Sequence, residues 1–142
     1  MATSGVYPCY ANQFKVGKGT EKKTIADMET FGVSFDNGVE EWTPYDTEGW
    51  VRRLMTGKGI TISVNGKRHI GDEGNDLIAG LAMQNGTGAE TDFEWVFPDG
   101  SKILFENAVI NVKNISAGDS TGVGVLEFDV MSNGKPTYTT AA

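Results

Sequence analysis

The segment from Thr91 to Val112 constrains the fold most, because its pattern predicts one β-hairpin. Aromatic residues alternate with smaller or charged ones before a turn at 98–100, and a second alternation follows. A three-residue loop with Gly100 in the left-handed conformation fixes which residues face each other. Large apolar side chains then pair across the strands, which stabilises a sheet. The predicted pairs are Phe97 with Ser101, Trp95 with Ile103 and Phe93 with Phe105.

Shorter alternating runs elsewhere predict further strands. Apolar residues alternate at 31–35, 60–64 and 125–131, and turn-forming residues separate the runs. Asn37-Gly38 predicts a hairpin turn, because both residues tolerate positive φ. The chain holds 19 glycines, against roughly ten at an average usage of about 7%. With about seven strand-like runs and one helix, the sequence predicts a mainly β architecture.

The sequence also predicts the boundaries of the domain. Residues 1–24 are polar and glycine-rich and predict an N-terminal arm with a short alternation at Phe14 and Val16, although a frayed terminus explains them equally well. The β domain spans 25–135 and is followed by a polar C-terminal tail at 136–142. A helix is predicted at 72–85, with acidic residues in its first turn and Asn85-Gly86 at its end.

The formal net charge of −7, from 12 basic and 19 acidic residues, argues against tight binding of a nucleic-acid backbone. Such binding needs clustered lysine and arginine side chains that displace counterions. DNA that slides past without binding remains compatible with this charge, because carboxylates repel phosphate groups. Composition alone does not separate that role from ordinary solubility.

The available residue types disfavour catalytic and metal sites. Cys9 and His69 are the sole cysteine and histidine, and no motif of a thiol enzyme surrounds either. Zinc needs three or four such ligands, and 72–76 fails as a calcium loop because Gly74 occupies its third position. Paired carboxylates can support acid–base chemistry, but a solvated acidic face explains them better. We expect no enzyme activity, no metal and no cofactor.

The sequence predicts a protein that does not enter a secretory pathway. A single cysteine allows no disulfide within the chain. No apolar stretch approaches the roughly 18 residues of a membrane span, and the first residues lack the pattern of a signal peptide. We expect the protein to be made in a cytoplasm and to stay there or in a particle assembled there, with no membrane contact.

The segment 43–59 and its flank combine large aromatic residues with arginines and lack a clean period. Protein interfaces are enriched in these residue types. Tryptophans that cap the core are an equally good interpretation. The candidate contact residues are Trp42, Tyr45, Trp50, Arg52 and Arg53.

One face of the predicted hairpin is acidic. The register given above puts Asp92 opposite Glu106 and Glu94 opposite Leu104. Like charges directly opposed cost stability. We therefore expect a role other than stability to keep this face acidic.

Several longer runs point to a known family. They are GWVRRLMTGK at 49–58, GKR at 66–68, GDEGND at 71–76, GDST at 118–121 and LEFDVMSNGKP at 126–136. In their order and spacing they resemble the tail tube (major tail) proteins of siphophages that infect Gram-positive bacteria. The resemblance covers about residues 40 to 138, which is more specific than any single motif.

The resemblance implies a β-sandwich or rolled β-barrel with one flanking helix. Six subunits would form a ring, each contributing four strands to a continuous inner barrel, and the rings would stack helically. A heterologous interface that advances along an axis makes such an open filament. Merging the strands of all subunits into one barrel removes exposed sheet edges. The function implied is that of a structural virion protein whose tube conducts DNA during ejection.

The resemblance also implies roles for individual residues. A long loop at 36–58 would reach the adjacent ring with the aromatic and arginine residues named above, and the arm and tail would add contacts to neighbouring subunits. Carboxylates would line the lumen and repel the DNA backbone. The lumen candidates are Asp92, Glu94 and Glu106, with Glu40 and Glu41 as weaker ones.

Partners implied by the resemblance are further copies of the chain and the tape measure, terminator and baseplate proteins of a tail. The protein would be located in the virion tail, after assembly in the host cytoplasm. DNA would pass through the lumen without specific binding.

Two other readings of the sequence remain open. The tube of a tail-like bacteriocin, a tail terminator or a baseplate component would share the fold. An Ig-like or lectin-like binding module could instead use its exposed aromatic residues to bind a sugar or a partner. Such a module would remain small and soluble, so its oligomeric state separates it from a tube protein.

Overall fold

The computed structural model describes residues 5–20 and 22–140. Parts of the predicted arm and tail, at 1–4, 21 and 141–142, lie outside these residues. The described elements are β1 (Gln13–Val16), β2 (Lys23–Thr24), β3 (Met28–Phe35), β4 (Gly38–Trp42), β5 (Arg52–Gly57), β6 (Ile60–Lys67), α1 (Glu73–Gly80), β7 (Glu90–Val96), β8 (Lys102–Ile115), β9 (Val125–Met131) and β10 (Thr137–Thr139). Short 3₁₀ turns connect several of them.

Most strands belong to one antiparallel sheet in the order β2-β1-β7-β8-β9-β6-β3. β10 pairs with the first residues of β8, and β4 with β5 forms a separate two-stranded ladder. The chain is therefore mainly β with one flanking α-helix among its described residues, which confirms the predicted fold class.

The sheet rolls up so that its two ends meet. Phe14 of β1 and Phe31 of β3 lie near opposite ends of the strand order, yet their ring centroids are 4.8 Å apart. Alternate residues of each strand point into the enclosed core, which removes their apolar surface from water. The fully buried large apolar side chains are Phe93, Phe105, Phe128, Ile62, Ile78, Leu126, Val16, Val64 and Val130.

The hairpin of β7 and β8 has the predicted register. Phe93 faces Phe105, Trp95 faces Ile103, and the Phe97 amide donates to the Ser101 carbonyl at 2.8 Å. Gly100, with φ of 93°, supplies the left-handed residue of the turn. This part of the prediction succeeded because it rests on a turn and two strands that are adjacent in sequence.

A β-bulge interrupts the ladder between Thr91 and Phe93, so Asp92 does not face Glu106 alone as the sequence predicts. Asn107 adopts a left-handed φ of 54°, and its amide donates to Asp92 Oδ1 at 2.9 Å. The extra residue bends β8 and places both Glu106 and Asn107 across from Asp92.

Asn37-Gly38 does not form the predicted hairpin turn. β3 pairs with β6 and β4 pairs with β5, so the chain runs straight through these two residues. Phe35 faces Ile60 at the end of the first ladder. The long-range pairing with β6 overrides the local turn preference.

The helix is shorter than the predicted 72–85. Asp72 caps its start by accepting from the Asn75 amide at 3.0 Å, and α1 ends at Gly80. Leu81–Met83 then form a 3₁₀ turn. Glycine is a weak helix former, so the α-helix ends at Gly80. The apolar stripe that predicted a longer helix continues into the 3₁₀ turn.

The predicted arm and tail also extend too far into the domain. β1 pairs with β7, and Val16 is fully buried in the core, so the residues from Gln13 onward belong to the sheet. At the other end, Thr137–Thr139 pair with β8. In both cases a strand that seems too short in sequence is stabilised by a partner strand.

A buried amide joins the helix to two neighbouring segments. Asn75 has no solvent exposure, and its Nδ2 donates to the Ala26 carbonyl at 3.1 Å and the Lys67 carbonyl at 3.0 Å. Its Oδ1 accepts from Arg68 Nη1 at 2.8 Å and from the His69 amide at 3.0 Å. All hydrogen-bonding positions of this side chain are thus occupied, as burial requires.

Candidate functional site

The hairpin of β4 and β5 projects from the rolled sheet. Every residue of both strands is exposed, although a two-stranded ladder alone is marginally stable in water. Apolar side chains lie on both of its faces: Val39 faces Met55 on one, and Leu54 lies beside Trp42 on the other. A ribbon of this kind needs a partner surface to cover it.

Hydrogen bonds hold the projecting hairpin in line with the body. The Asp36 amide donates to the Gly59 carbonyl at 2.8 Å, and Thr61 Oγ1 donates to Asp36 Oδ2 at 3.1 Å. Lys58 Nζ donates to Asn37 Oδ1 at 3.3 Å. β3 and β4 on one side, and β5 and β6 on the other, therefore continue as one long ribbon.

The five predicted contact residues all lie on this hairpin. Arg52 Cζ is 5.7 Å from the centroid of the Trp42 ring, and Arg53 Nε is 2.6 Å from Glu41 Oε2. Tyr45 and Trp50 lie at the tip and are 106% and 77% exposed. The alternative that the tryptophans cap the core does not apply to Trp42 and Trp50, which lie outside it.

The tip has a defined conformation. Tyr45–Thr47 form a 3₁₀ turn, and Glu48 and Gly49 adopt left-handed φ values of 52° and 88°. Thr47 Oγ1 donates to the Trp50 carbonyl at 2.7 Å, while the Trp50 amide donates to the Thr47 carbonyl at 3.0 Å. These bonds present the two tip aromatics in a fixed arrangement.

The acidic candidates lie in two places. Asp92, Glu94 and Glu106 lie together on the outside of β7 and β8, whereas Glu40 and Glu41 lie on the projecting hairpin. The Glu94 side chain is only 13% exposed; it is 3.7 Å from Lys102 Nζ, and Lys15 is its register neighbour on β1. This patch is therefore less acidic than its carboxylates alone suggest.

Several strand edges are open among the described residues, and two of them belong to the long strands β3 and β8 of the main sheet. β3 is the last strand of the order and has a partner only in β6. The second half of β8, from Ile110 to Ile115, pairs with β9, while β7 on its other side reaches only as far as Val109. Val33 and Phe35 on the first edge and Ile115 on the second are 36%, 56% and 43% exposed.

The four strands between these edges have a polar outer face. Three rows of register partners cross it, and their side chains are mostly hydroxyls and amides. Asp129 accepts from Ser63 Oγ at 2.8 Å and lies 3.2 Å from Lys113 Nζ, which neutralises it. The rows are Asn111-Asp129-Ser63-Gly32, Val109-Met131-Thr61-Ser34 and Asn114-Glu127-Asn65-Thr30.

Charged groups cluster at the start of α1 as well. Arg68 Nη1 is 2.8 Å from Asp76 Oδ1, and His69 Nδ1 is 2.5 Å from Asp27 Oδ2. The side-chain hydrogen bond from Arg68 lowers the pKa of Asp76 below its usual range. These pairs join the end of β6 to the helix and to the turn before β3.

Within 5–20 and 22–140, no three His, Cys, Asp or Glu side chains are grouped to hold a metal ion. No helix in these ranges has the length and apolar character needed to cross a membrane.

No family model and no curated protein matches the sequence. Solved structures match in fold. The tail of an empty gene transfer agent particle, with C6 symmetry, superposes with a TM-score of 0.76 over 95% of this chain and 100% of that chain, at 17% identity. The sheath-tube complex of an extracellular contractile injection system (PVC, extended state) superposes with a TM-score of 0.65 over 96% of this chain and 93% of that chain, at 16% identity. The sheath/tube terminator of that system superposes with a TM-score of 0.63 over 98% of this chain and 100% of that chain, at 16% identity. The chain thus shares the fold of tail and tube subunits along nearly its whole length.

Proposed function

We propose that this chain is a tail tube subunit, a structural protein without enzymatic activity that polymerises as stacked hexameric rings into a hollow conduit for DNA. The observation that carries the proposal is a tail-type β fold with two open strand edges and an uncovered projecting hairpin. In a soluble monomer, three uncovered surfaces of this kind would favour aggregation.

The open edges support ring formation. The edge of β3 in one subunit pairs with the edge at 110–115 of β8 in the next, and the contact repeats around the ring. The two edges differ in sequence, so the interface is heterologous and closes only when the rotation between subunits completes a circle. Closure gives each of these two edges a partner and covers Val33 and Ile115.

The way in which the sheet rolls up indicates which of its polar faces lines the channel in the proposed ring. Because the ends of the sheet meet, the polar face of β3, β6, β9 and the second half of β8 points away from the polar face of β1 and β7. Of these two faces, only the one formed by β3, β6, β9 and the second half of β8 lies between the two ring-forming edges. We therefore propose that its three rows of hydroxyl, amide and few charged side chains face the lumen.

This wall differs from the sequence prediction that Asp92, Glu94 and Glu106 line the lumen. In the proposed ring these residues face outward, and the wall keeps one excess carboxylate, Glu127, beside the neutralised pair of Asp129 and Lys113. A nearly neutral wall of hydroxyl and amide groups also lets DNA slide, since it offers no cluster of cations to bind phosphate.

The uncovered hairpin supports stacking, in which 36–58 reaches a neighbouring ring as the family resemblance implies. The proposed location is a virion tail of the siphophage type assembled in the host cytoplasm, with tape measure, terminator and baseplate proteins as further partners. The tail of the gene transfer agent supports a particle of this kind.

Electron microscopy of the purified protein, concentrated and left to assemble, tests the function. We expect hollow tubes or six-membered rings. Monodisperse particles of one chain at millimolar concentration, together with binding of a sugar or peptide, would instead support a binding module.

A second candidate, a terminator subunit, is favoured by the fold match to the injection-system terminator. A terminator forms one ring and stops, because its outer surface does not accept another. Single rings that never elongate, even when seeded with fragments of tubes, would support this candidate over the tube subunit.

The channel wall is tested with lysine substitutions. In tubes of the triple variant Thr30→Lys, Ser34→Lys, Asn111→Lys, we expect short DNA duplexes to be retained and protected from nuclease at least about tenfold more than in wild-type tubes. This retention should depend strongly on the salt concentration. The triple variant Asp92→Lys, Glu94→Lys, Glu106→Lys is the comparison and should bind DNA only in a nuclease-sensitive form on the outside. Protection in the comparison variant alone would contradict the proposed wall and support the sequence prediction.

A further inference from the structure

An apolar groove with a volume of about 530 Å³ lies at the root of the projecting hairpin. Phe35, Ile60 and Pro136 line it, and Phe35 is 56% exposed there. Lys58 and Lys135 also line it, and both are exposed. The groove thus combines apolar surface with two ammonium groups, which suits an apolar or aromatic segment that carries carboxylates.

The tip of the same hairpin has the complementary composition. Tyr45 and Trp50 are its exposed aromatic residues, and the exposed Asp46 and Glu48 lie between them in sequence. Because Thr47 is bonded to Trp50 through both its hydroxyl and its carbonyl, little conformational freedom of the turn remains to be lost on binding. Aromatic side chains of this kind are frequent anchors of protein interfaces.

A subunit cannot place its own tip in its own groove. The hairpin leaves the body at Gly38 and extends through the five residues of β4 before the turn begins. At about 3.3 Å per residue, the tip lies roughly 17 Å or more from the root. The hydrogen bonds at the root keep the ribbon extended, so the occupant must come from another molecule.

We propose that the groove at the root of each hairpin receives the tip of the hairpin of a second copy of this chain. Tyr45 and Trp50 of one copy pack on Phe35, Ile60 and Pro136 of the other. Asp46 and Glu48 lie against Lys58 and Lys135. This inference rests on the proposed assembly into a tube and names the surface that the hairpin binds.

Charge complementarity favours the tip over other segments of a second copy. The N-terminal segment at 5–12 also exposes apolar side chains, including Val6 and Tyr10. It carries no charged residue and therefore brings no carboxylate to the two lysines of the groove. Binding of the acidic tip neutralises both.

Photo-crosslinking in assembled tubes tests the contact. A benzophenone amino acid replaces Trp50, and unlabelled and ¹⁵N-labelled copies are mixed before assembly. We expect crosslinked peptides of mixed label that join position 50 to 35, 58–60 or 132–136. The matched control carries the same probe at Ile70, which is 82% exposed beyond the opposite end of β6, and should not label the groove. Crosslinks from position 50 to 5–12 or to any other segment overturn the proposal.

A charge swap provides a second test. Lys58→Glu with Lys135→Glu should raise the critical concentration for assembly at least about tenfold, because like charges then meet at the interface. Asp46→Lys with Glu48→Lys should do the same, and the four substitutions together should restore assembly to within a few-fold of wild type. Failure of the combined variant to recover, with each pair folded by circular dichroism, overturns the contact.

The two proposals fail in different ways. Tubes whose crosslinks map elsewhere contradict the tip-in-groove contact and leave the tube function intact. A wild-type chain that remains a monomer at every concentration contradicts the tube function and the contact with it.

Discussion

Replacing Val33 by proline is expected to leave the subunit folded and to abolish tube formation. In the ladder of β3 and β6, the Asp36 amide donates to the Gly59 carbonyl. Amides alternate in direction along an antiparallel strand, so the Val33 amide points to the open edge. Proline removes that donor and adds a ring at the edge, which an edge strand tolerates but a paired strand does not.

The expected effect is large because the loss recurs at every contact around the proposed ring. One ladder hydrogen bond contributes about 0.5–1.5 kcal/mol net, and the ring also obstructs the approach of the neighbouring strand. We expect the critical concentration to rise by more than about tenfold. Sedimentation and electron microscopy measure assembly, and thermal unfolding measures the fold.

Val33→Ala is the matched control, because it shortens the side chain but keeps the amide donor. It should assemble close to wild type. Tubes formed normally by folded Val33→Pro protein would show that β3 is not an edge used in assembly.

Replacing Asn75 by alanine is expected to destabilise the subunit by about 3 kcal/mol. The substitution leaves the Ala26 and Lys67 carbonyls without their donor and removes the acceptor of the Arg68 and His69 groups. Each buried polar group left unsatisfied costs about 1–3 kcal/mol, and partial entry of water offsets some of the sum. The melting temperature should fall by about 10 °C.

Urea unfolding of Asn75→Ala measures this loss. The control is Asn85→Ala, because Asn85 is exposed and its side chain accepts only the Gly86 amide among the bonds described for it. That change should cost less than about 1 kcal/mol. Equal losses in the two variants would mean that the buried amide does not hold the helix to the sheet.

The fold could be predicted from the sequence where contacts are local. The pairing of Phe93 with Phe105 follows from one turn and two adjacent strands, and the start of the helix near Asp72 follows from the acidic residues before an apolar stripe. The turn at Asn37-Gly38 failed because a strand more than twenty residues away, β6, pairs with β3. Local preference is weak against the ladder of seven residue pairs that joins β3 to β6.

The candidate surfaces were predictable only in part. The composition of the segment around Trp42 and Trp50 marked it as a contact region, and the structure places these residues on an exposed hairpin. No sequence signal indicates that Asn75 is buried. Its Nδ2 donates to the backbone carbonyls of Ala26 and Lys67, and a backbone carbonyl leaves no trace in the sequence. The polar rows across β8, β9, β6 and β3 could not be predicted, because they exist only once the order of the strands is known.

The continuous ribbon through β3, β4, β5 and β6 has a mechanical consequence. A pull on the hairpin tip along its length is transmitted through the covalent chain into β3 and β6, parallel to their axes. Both strands are pulled in the same direction, so the hydrogen bonds that join β6 to β9 are loaded together in shear and must break collectively instead of opening one after another from an end. A tube built from such subunits would bend or stretch by sliding at the contacts between rings before any subunit begins to unravel.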